Sequence, residues 1–360
     1  MQSVEKMYES LAALEGGSVV VHPQRCVLVR NRNAECLQCA EVCTSGAISI
    51  ANDSICVDEE KCVDCGTCAT ACPTCALEVR EEDDHRLFDE VRRALKRQGG
   101  CAQIACQEAH ASSDAVGVKC LGRVDESLLV SALTMSGARE VSLVHGACER
   151  CAHKTGFDVA QRVVESSNAL LSSWGVYPRV RLETAEAACG DAAPLEPAGK
   201  HAPGTFDGSR AYAKVGRDGT LPQYAPARRK RLVGALSVLG PAPDALVETR
   251  LWGHVSIDED ACVSCRMCTT FCPAGALSKW DGNGAFGLVH EPRLCVKCRC
   301  CESICPVGAI TVSESVHARR LVNGAVDRIP LQEPAFQRGS GNATKGIMGS
   351  LLGEECVFDR

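Results

Sequence analysis

The chain has 360 residues, a net charge of −6, 26 cysteines and only 4% aromatic residues. That length suits two or three domains, and the mild acidity gives no electrostatic reason to expect nucleic acid. No apolar run approaches the ~20 residues needed to cross a bilayer, and "MQSVEKMYESLAALEGG" mixes charges into its apolar residues and lacks a signal core, so a cytoplasmic location with reduced, metal-binding thiols is expected.

The first informative stretch is "RCVLVRNRNAECLQCAEVCTSGAI", Arg25 to Ile48. Cys36, Cys39 and Cys43 are spaced C-x2-C-x3-C, but Asn33 stands where one more cysteine is due. Three further stretches show the full C-x2-C-x2-C-x3-C-P spacing: "CVDCGTCATACP" from Cys62, "CVSCRMCTTFCP" from Cys262 and "CVKCRCCESICP" from Cys295. The flanks repeat too, as "TSGAISI", "PTCALEV", "PAGALSK" and "PVGAITV" after the last cysteine. "VHPQR" precedes Cys26 much as "VHEPRL" precedes Cys295. Cys26 is therefore read as the missing first ligand, displaced by an insertion of seven residues, and a longer loop costs little closure entropy. The alternative is a cluster lost with its ligand. Thr44 replaces the proline of the other repeats.

This run resembles the bacterial-type 2[4Fe–4S] ferredoxins. The resemblance implies two α+β dicluster modules, residues 1–81 and 251–314. Three close thiolates wrap one cubane, and the fourth cysteine of the run serves its neighbour. The family's crossed rule gives Cys26, Cys36, Cys39 and Cys72 to one [4Fe–4S], and Cys62, Cys65, Cys68 and Cys43 to the next. In the second module it gives Cys262, Cys265, Cys268 and Cys305, then Cys295, Cys298, Cys301 and Cys272. Zinc sites usually separate their C-x2-C pairs by longer spacers. Three cysteines fall out of the alignment and are read as packing residues. Cys75 stands where the other repeats have Gly46, Gly275 and Gly308, Cys56 where Ser256 stands, and Cys300 where Thr67 and Met267 stand.

Between the modules, residues 82–192 alternate strand and helix patterns. "CAQIAC", "VGVKC", "EVSLVHG" and "RVRLET" read as short strands. "DESLLVSALTMSGA" reads as a helix capped by Asp125, and "DVAQRVVESSNALLSSWG" as one stopped by Gly175. Alternation of this kind predicts a doubly wound parallel sheet whose functional edge is the carboxyl end of its strands. Cys106, Cys120 and Cys148 fall just past those ends, with Cys151 on the same loop. Cys101 begins its strand and belongs to the opposite edge. "CLGRVDESLL", "GACERCAHKTG" and "LLSSWGVYPRVRLETAEAACG" resemble the iron–sulfur delta subunit of methyl-viologen-reducing hydrogenase, which docks on heterodisulfide reductase. The resemblance implies one [2Fe–2S] at Cys106, Cys120, Cys148 and Cys151. Two departures stand out: Ala109 occupies the place of a second cysteine after the first strand, and the Cys148–Cys151 gap is short. Zinc, or no metal, stays open at this site.

Residues 193–250 are read as a Gly/Pro/Ala-rich linker and a short helix, "ARRKRLVGALSVLG". Its basic start is either a solvated face or a docking patch for an acidic partner. Residues 315–360, with the lone Cys356, are read as a tail that wraps a partner or is disordered. No P-loop, HExxH or G-x-S-x-G segment is found, and no G-x-G-x-x-G is expected. The expected function is an electron-transfer subunit without a catalytic centre of its own. It would carry single electrons between a flavoprotein or hydrogenase and a heterodisulfide-reductase-like protein or molybdoenzyme. The alternatives are a free multi-cluster ferredoxin, or a maturation or interaction protein with structural clusters.

Overall fold

The cysteine-rich half-repeats fold in crossed pairs. In the computed structural model the described residues are 19–332, apart from 32, 52–53, 178, 185–220, 222 and 283–284. In the N-terminal pair, β1 (Val19–Val21) lies antiparallel to β4 (Leu77–Val79), and β2 (Ile48–Ala51) to β3 (Ser54–Val57). In the C-terminal pair, β10 (Val255–Ile257) lies antiparallel to β13 (Ile310–Val312), and β11 (Leu277–Gly282) to β12 (Ala285–His290). Each strand that enters one half-repeat thus pairs with the strand that leaves the other. One backbone bond closes all four pairings. His22, Asp58, Asp258 and Glu291 donate their amides to the carbonyls of Ala76, Ala47, Ala309 and Ala276, over 2.7, 2.8, 2.9 and 2.8 Å.

The central segment forms a parallel sheet, as its strand and helix patterns predict. α4 (Glu81–Arg97) leads into β5 (Cys101–Cys106), followed by β6 (Val116–Val118), α5 (Glu126–Leu133), β7 (Glu140–Val144), α6 (Thr155–Ser173) and β8 (Val180–Glu183). The four strands form one parallel sheet in the order β6-β5-β7-β8. Every residue of β7 is buried, as expected for an inner strand of a covered parallel sheet. Asp125 caps α5 by accepting the Leu128 amide at 2.9 Å. α6 ends at Gly175, whose φ of 72° suits the left-handed turn after a helix.

Three expectations need correction. Three arginines at the basic start of α7 (Ala227–Val238) turn inward, while Lys230 is exposed. Arg228 donates to the carbonyls of Ala69, Thr70 and Cys72, Arg231 to the Ser127 hydroxyl, and buried Arg229 to the Leu251 carbonyl. Those cations satisfy backbone and side-chain acceptors of neighbouring segments, which the local pattern cannot reveal. Secondly, the described part of the expected tail is structured. β14 (Ser315–His317) pairs with β9 (Leu246–Glu248), α10 (Ala318–Val322) follows, and β15 (Asp327–Pro330) joins β12. Val316, Ala318 and Leu321 are buried there, so this stretch has the apolar anchors that a tail lacks. Residues 333–360, with Cys356, and most of the expected linker lie outside the described residues. Thirdly, "GNGAFG", Gly282–Gly287, does have the G-x-G-x-x-G spacing. It spans the junction of β11 and β12, an antiparallel pair, rather than the strand–turn–helix that holds a dinucleotide. Among the described residues, no helix is long and apolar enough to cross a membrane.

Candidate metal centres

Each regular cysteine run bends around a loop of left-handed residues. Asp64 and Gly66, Ser264 and Arg266, and Lys297 and Arg299 all have φ between 52° and 71°. Five of these six are not glycine, at a cost of about 1 kcal/mol or more each. These turns lie between the successive cysteines of each run. A short helix then carries the fourth: α3 (Thr67–Ala71), α8 (Met267–Phe271) and α9 (Cys300–Ile304) end against Cys72, Cys272 and Cys305.

Thiols from different runs lie close enough to shift one another. Burial first, then the charges of Cys72, Cys26 and Cys36, pushes the Cys39 thiol up to about 12. Cys26 is buried, with Cys72 among the charges that act on it. Burial, then Cys65, Cys39, Cys43 and Cys62, raises Cys68. Burial, then Cys265, Cys262 and Cys305, raises Cys268 to about 12. Burial, then Cys295, Cys272, Cys268 and Cys300, raises Cys301 well above the usual thiol range, and Cys298 is raised likewise with Cys272 as its first charged neighbour. Backbone amides point at several of these sulfurs: Ala76 at Cys72 Sγ over 3.2 Å and Ala309 at Cys305 Sγ over 3.3 Å. Such N–H···S bonds favour the thiolate and tune the potential of a bound cluster.

The cysteines set aside by alignment behave differently from one another. Cys56 is exposed. Cys75 is 2% exposed and adopts φ 52°, the left-handed turn that Gly46, Gly275 and Gly308 make at the same place. Cys300 is fully buried and lies between sets: burial, then Cys272, Arg30, Cys26 and Cys36, governs its thiol.

At the central sheet, Cys106 ends β5, Cys120 follows β6, and Cys148 and Cys151 flank the turn after β7. All four line one small cavity at the carboxyl edge, with His145, His153 and Phe157. The Gly146 amide donates to Cys106 Sγ and the His153 amide to Cys151 Sγ, both over 3.4 Å. Burial raises the Cys120 thiol to about 11, with Cys65 and Cys106 among its charged neighbours. Cys101 begins β5 and so sits at the opposite end of that strand from Cys106. His145 and His153, 3.7 and 3.8 Å from Cys148 and Cys151, were not picked out from the sequence. The signal was there, since both flank the cysteine pair in "HGACERCAH".

The sets fit clusters better than single ions. Among the described residues no three cysteine sulfurs lie within 4.8 Å of one another. A lone tetrahedral ion with bonds of about 2.3 Å needs its sulfurs about 3.8 Å apart. The wider spacing leaves room for several irons and bridging sulfides.

Neighbouring sets are also joined by packing. Thr44, where the other runs have proline, shares a hydrogen bond of 2.6 Å with Thr155 at the start of α6, and the Thr155 hydroxyl also reaches the Val42 carbonyl. The insertion after Cys26 forms α1 (Val27–Arg30), and Val27 and Ala34 pack on Cys300 of the C-terminal unit. Arg30 donates to the Phe271 carbonyl at 3.2 Å.

Residues 98–195 match the family described as methyl-viologen-reducing hydrogenase, delta subunit, and residues 261–309 match the 4Fe-4S dicluster domain. The chain is 33% identical over 138 residues to the isethionate sulfite-lyase activating enzyme of Nitratidesulfovibrio vulgaris, covering 35% of this chain and 38% of that protein. It is 33% identical over 81 residues to the electron transport protein HydN of Escherichia coli, 22% of this chain and 41% of that one. It is 37% identical over 62 residues to the putative oxidoreductase AegA of Escherichia coli, 17% of this chain and 9% of that one. The chain thus spans less than half the length of each of these relatives. It carries an iron–sulfur dicluster domain beside a domain of the hydrogenase delta-subunit type.

Proposed function

We propose that the chain is an electron-transfer subunit of a multi-subunit oxidoreductase, with five clusters in one unbranched series. Residues 1–81 and 251–314 are two dicluster modules, and 82–192 is a doubly wound α/β domain between them. The four cysteine sets of the modules hold [4Fe–4S], and Cys106, Cys120, Cys148 and Cys151 hold a [2Fe–2S]. The series runs from the central site to the set of Cys62, Cys65, Cys68 and Cys43. It continues to Cys26, Cys36, Cys39 and Cys72, then to Cys295, Cys298, Cys301 and Cys272, and ends at Cys262, Cys265, Cys268 and Cys305. The clusters exchange single electrons. Coordination wholly by thiolates leaves no iron open to a substrate, so the catalytic centres belong to partner chains. A flavoprotein or hydrogenase at one end and a heterodisulfide-reductase-like protein or molybdoenzyme at the other suit the delta-subunit likeness. A cytoplasmic setting suits such partners.

The observation that carries this reading is that thiols of successive sets lie near enough to act on one another electrostatically. Cys120 neighbours Cys65, Cys68 neighbours Cys39, Cys300 lies between Cys26 and Cys272, and Cys301 neighbours Cys268. A diffusing carrier has no need of a continuous series through three units. The test is anaerobic purification at native expression followed by stepwise reduction. Stoichiometric co-purification with catalytic chains, and magnetic coupling between the reduced clusters, is the expected result. A chain that purifies alone, or clusters that dithionite leaves oxidised, removes the reading.

A further inference from the structure

Three side chains of the C-terminal unit have no counterpart in the rest of the cysteine repeat. His290 ends β12 five residues before Cys295, where the same interval before Cys26, Cys62 and Cys262 holds Val21, Val57 and Ile257. His254 stands eight residues before Cys262, where Ser18, Ser54 and Gly287 stand before Cys26, Cys62 and Cys295. Asp327 lies on β15, which makes a third strand beside β11 and β12, whereas the N-terminal pairings are two-stranded among the described residues. The repeat therefore builds these positions without imidazoles elsewhere.

The three converge. His290 and Asp327 are direct cross-strand partners. His254 Nε2 is 3.0 Å and His290 Nδ1 3.6 Å from Asp327 Oδ2, and the imidazoles meet edge to face, 5.4 Å between centroids. One ligand atom from each residue lies within 4.8 Å of the other two. An ion with bonds of about 2.1 Å in tetrahedral geometry holds its ligand atoms about 3.4 Å apart, so only small shifts are needed. His290 is 0% exposed, yet the Asp327 carboxylate stands 3.6 Å from its Nδ1, beyond a good hydrogen bond, and its Nε2 has no partner. Folded proteins rarely leave such a group unmet. Arg320 pairs with Asp327 Oδ1 and leaves Oδ2 facing the imidazoles, the outer contact that orients a ligating carboxylate. The guanidinium also weakens the site for any cation. His254 is partly exposed, which leaves one side for water as a fourth ligand.

We propose that His254, His290 and Asp327 form a mononuclear site for a divalent first-row transition ion, distinct from the clusters. Two imidazoles and one carboxylate suit such an ion over calcium or magnesium. Its place would tie β15 to the strands around β10 and β12.

The test uses the full chain with its clusters loaded, kept anaerobic and freed of loose metal on a chelating resin. Zn2+ alone is added by equilibrium dialysis, and zinc and iron are both measured. The expected result is one zinc per chain with iron unchanged, and loss of that equivalent in His254→Ser and in His290→Val. Asp327→Asn, which keeps a side chain of the same shape, should lose it too and guards against misfolding of the buried variant. Zinc uptake that displaces iron, an equivalent that survives in all three variants, or no uptake by the parent chain overturns the proposal. In the last case the trio is a hydrogen-bonded strand clamp only.

Discussion

The Asn31 side-chain amide donates a 3.0 Å hydrogen bond to the Ser303 hydroxyl, across 272 positions of chain. The bond joins the insertion after Cys26 to α9 of the C-terminal unit, and buried Arg30 adds bonds to the Thr270 and Phe271 carbonyls. Arg30→Ala leaves those acceptors without their charged donor, a loss of about 1.5–3 kcal/mol. Denaturant unfolding should show that loss. Iron content should hold, while the coupling between the clusters on either side of Cys300 weakens. An iron loss as large as that of a ligand substitution would count against a docking role.

Iron analysis checks the ligand sets. Four [4Fe–4S] and one [2Fe–2S] hold about 18 irons per chain. Cys26→Ser should lower the count by about four, whereas Cys56→Ser should leave it unchanged. Equal counts in the two variants would return Cys26 to an ordinary buried thiol.

Cys75→Gly tests the discarded cysteine. The substitution relieves a left-handed φ of 52° but gives up a buried side chain. Strain relief of about 1 kcal/mol roughly offsets the burial lost and the freer unfolded backbone. Stability should stay within about 1 kcal/mol of the parent, with every cluster signal present. A missing [4Fe–4S] signal would make Cys75 a ligand.

Gly156→Ala tests the central site without touching a ligand. A Cβ there would lie 2.1 Å from Cys120 Sγ, and the backbone of α6 holds it in place. The central cluster signal should disappear while the four cubane signals remain. Retention of the signal would show that Cys120 is free to move and is not held by metal.

Glu78→Gln tests the charge cluster under β1 and β4. Burial alone would raise the Glu78 pKa, but the His22 hydrogen bond and the Arg25 charge outweigh it and hold the carboxyl at about 2. A depressed carboxylate stabilises the fold above its unfolded pKa of about 4.5, and the gain fades as pH falls toward 2. At pH 7 the variant should be weaker by up to about 3 kcal/mol. The gap between the two proteins should narrow below pH 4.5. A gap that stays constant with pH would assign it to packing, including the Arg25 guanidinium over the Tyr224 ring.

The 4Fe-4S dicluster character was legible because the cysteine runs carry their own spacing. The parallel sheet was legible because four short strand patterns and two helical periods follow one another from Cys101 to Glu183. What stayed hidden depends on distant partners. Thr44 looked like a minor loss of proline, and its meaning lies with Thr155, 111 positions away. The arginines of α7 looked like solvated charge because their acceptors are backbone carbonyls, which every sequence has. β14, α10 and β15 are short, and each finds its place only by pairing or packing with segments from elsewhere in the chain.

α1 has four residues, far too few to hold as a helix alone. On one side α1 starts directly after buried Cys26, and on the other Val27 packs against Cys300. Whatever fixes Cys26 therefore shapes the surface that the C-terminal unit grips, and that grip in turn holds Cys26 in position. Were Cys26 to ligate a metal centre, filling that centre and closing the two halves of the chain would be linked equilibria. By thermodynamic reciprocity each would favour the other by the same factor, so a half-assembled chain should announce itself as one whose halves have not yet come together.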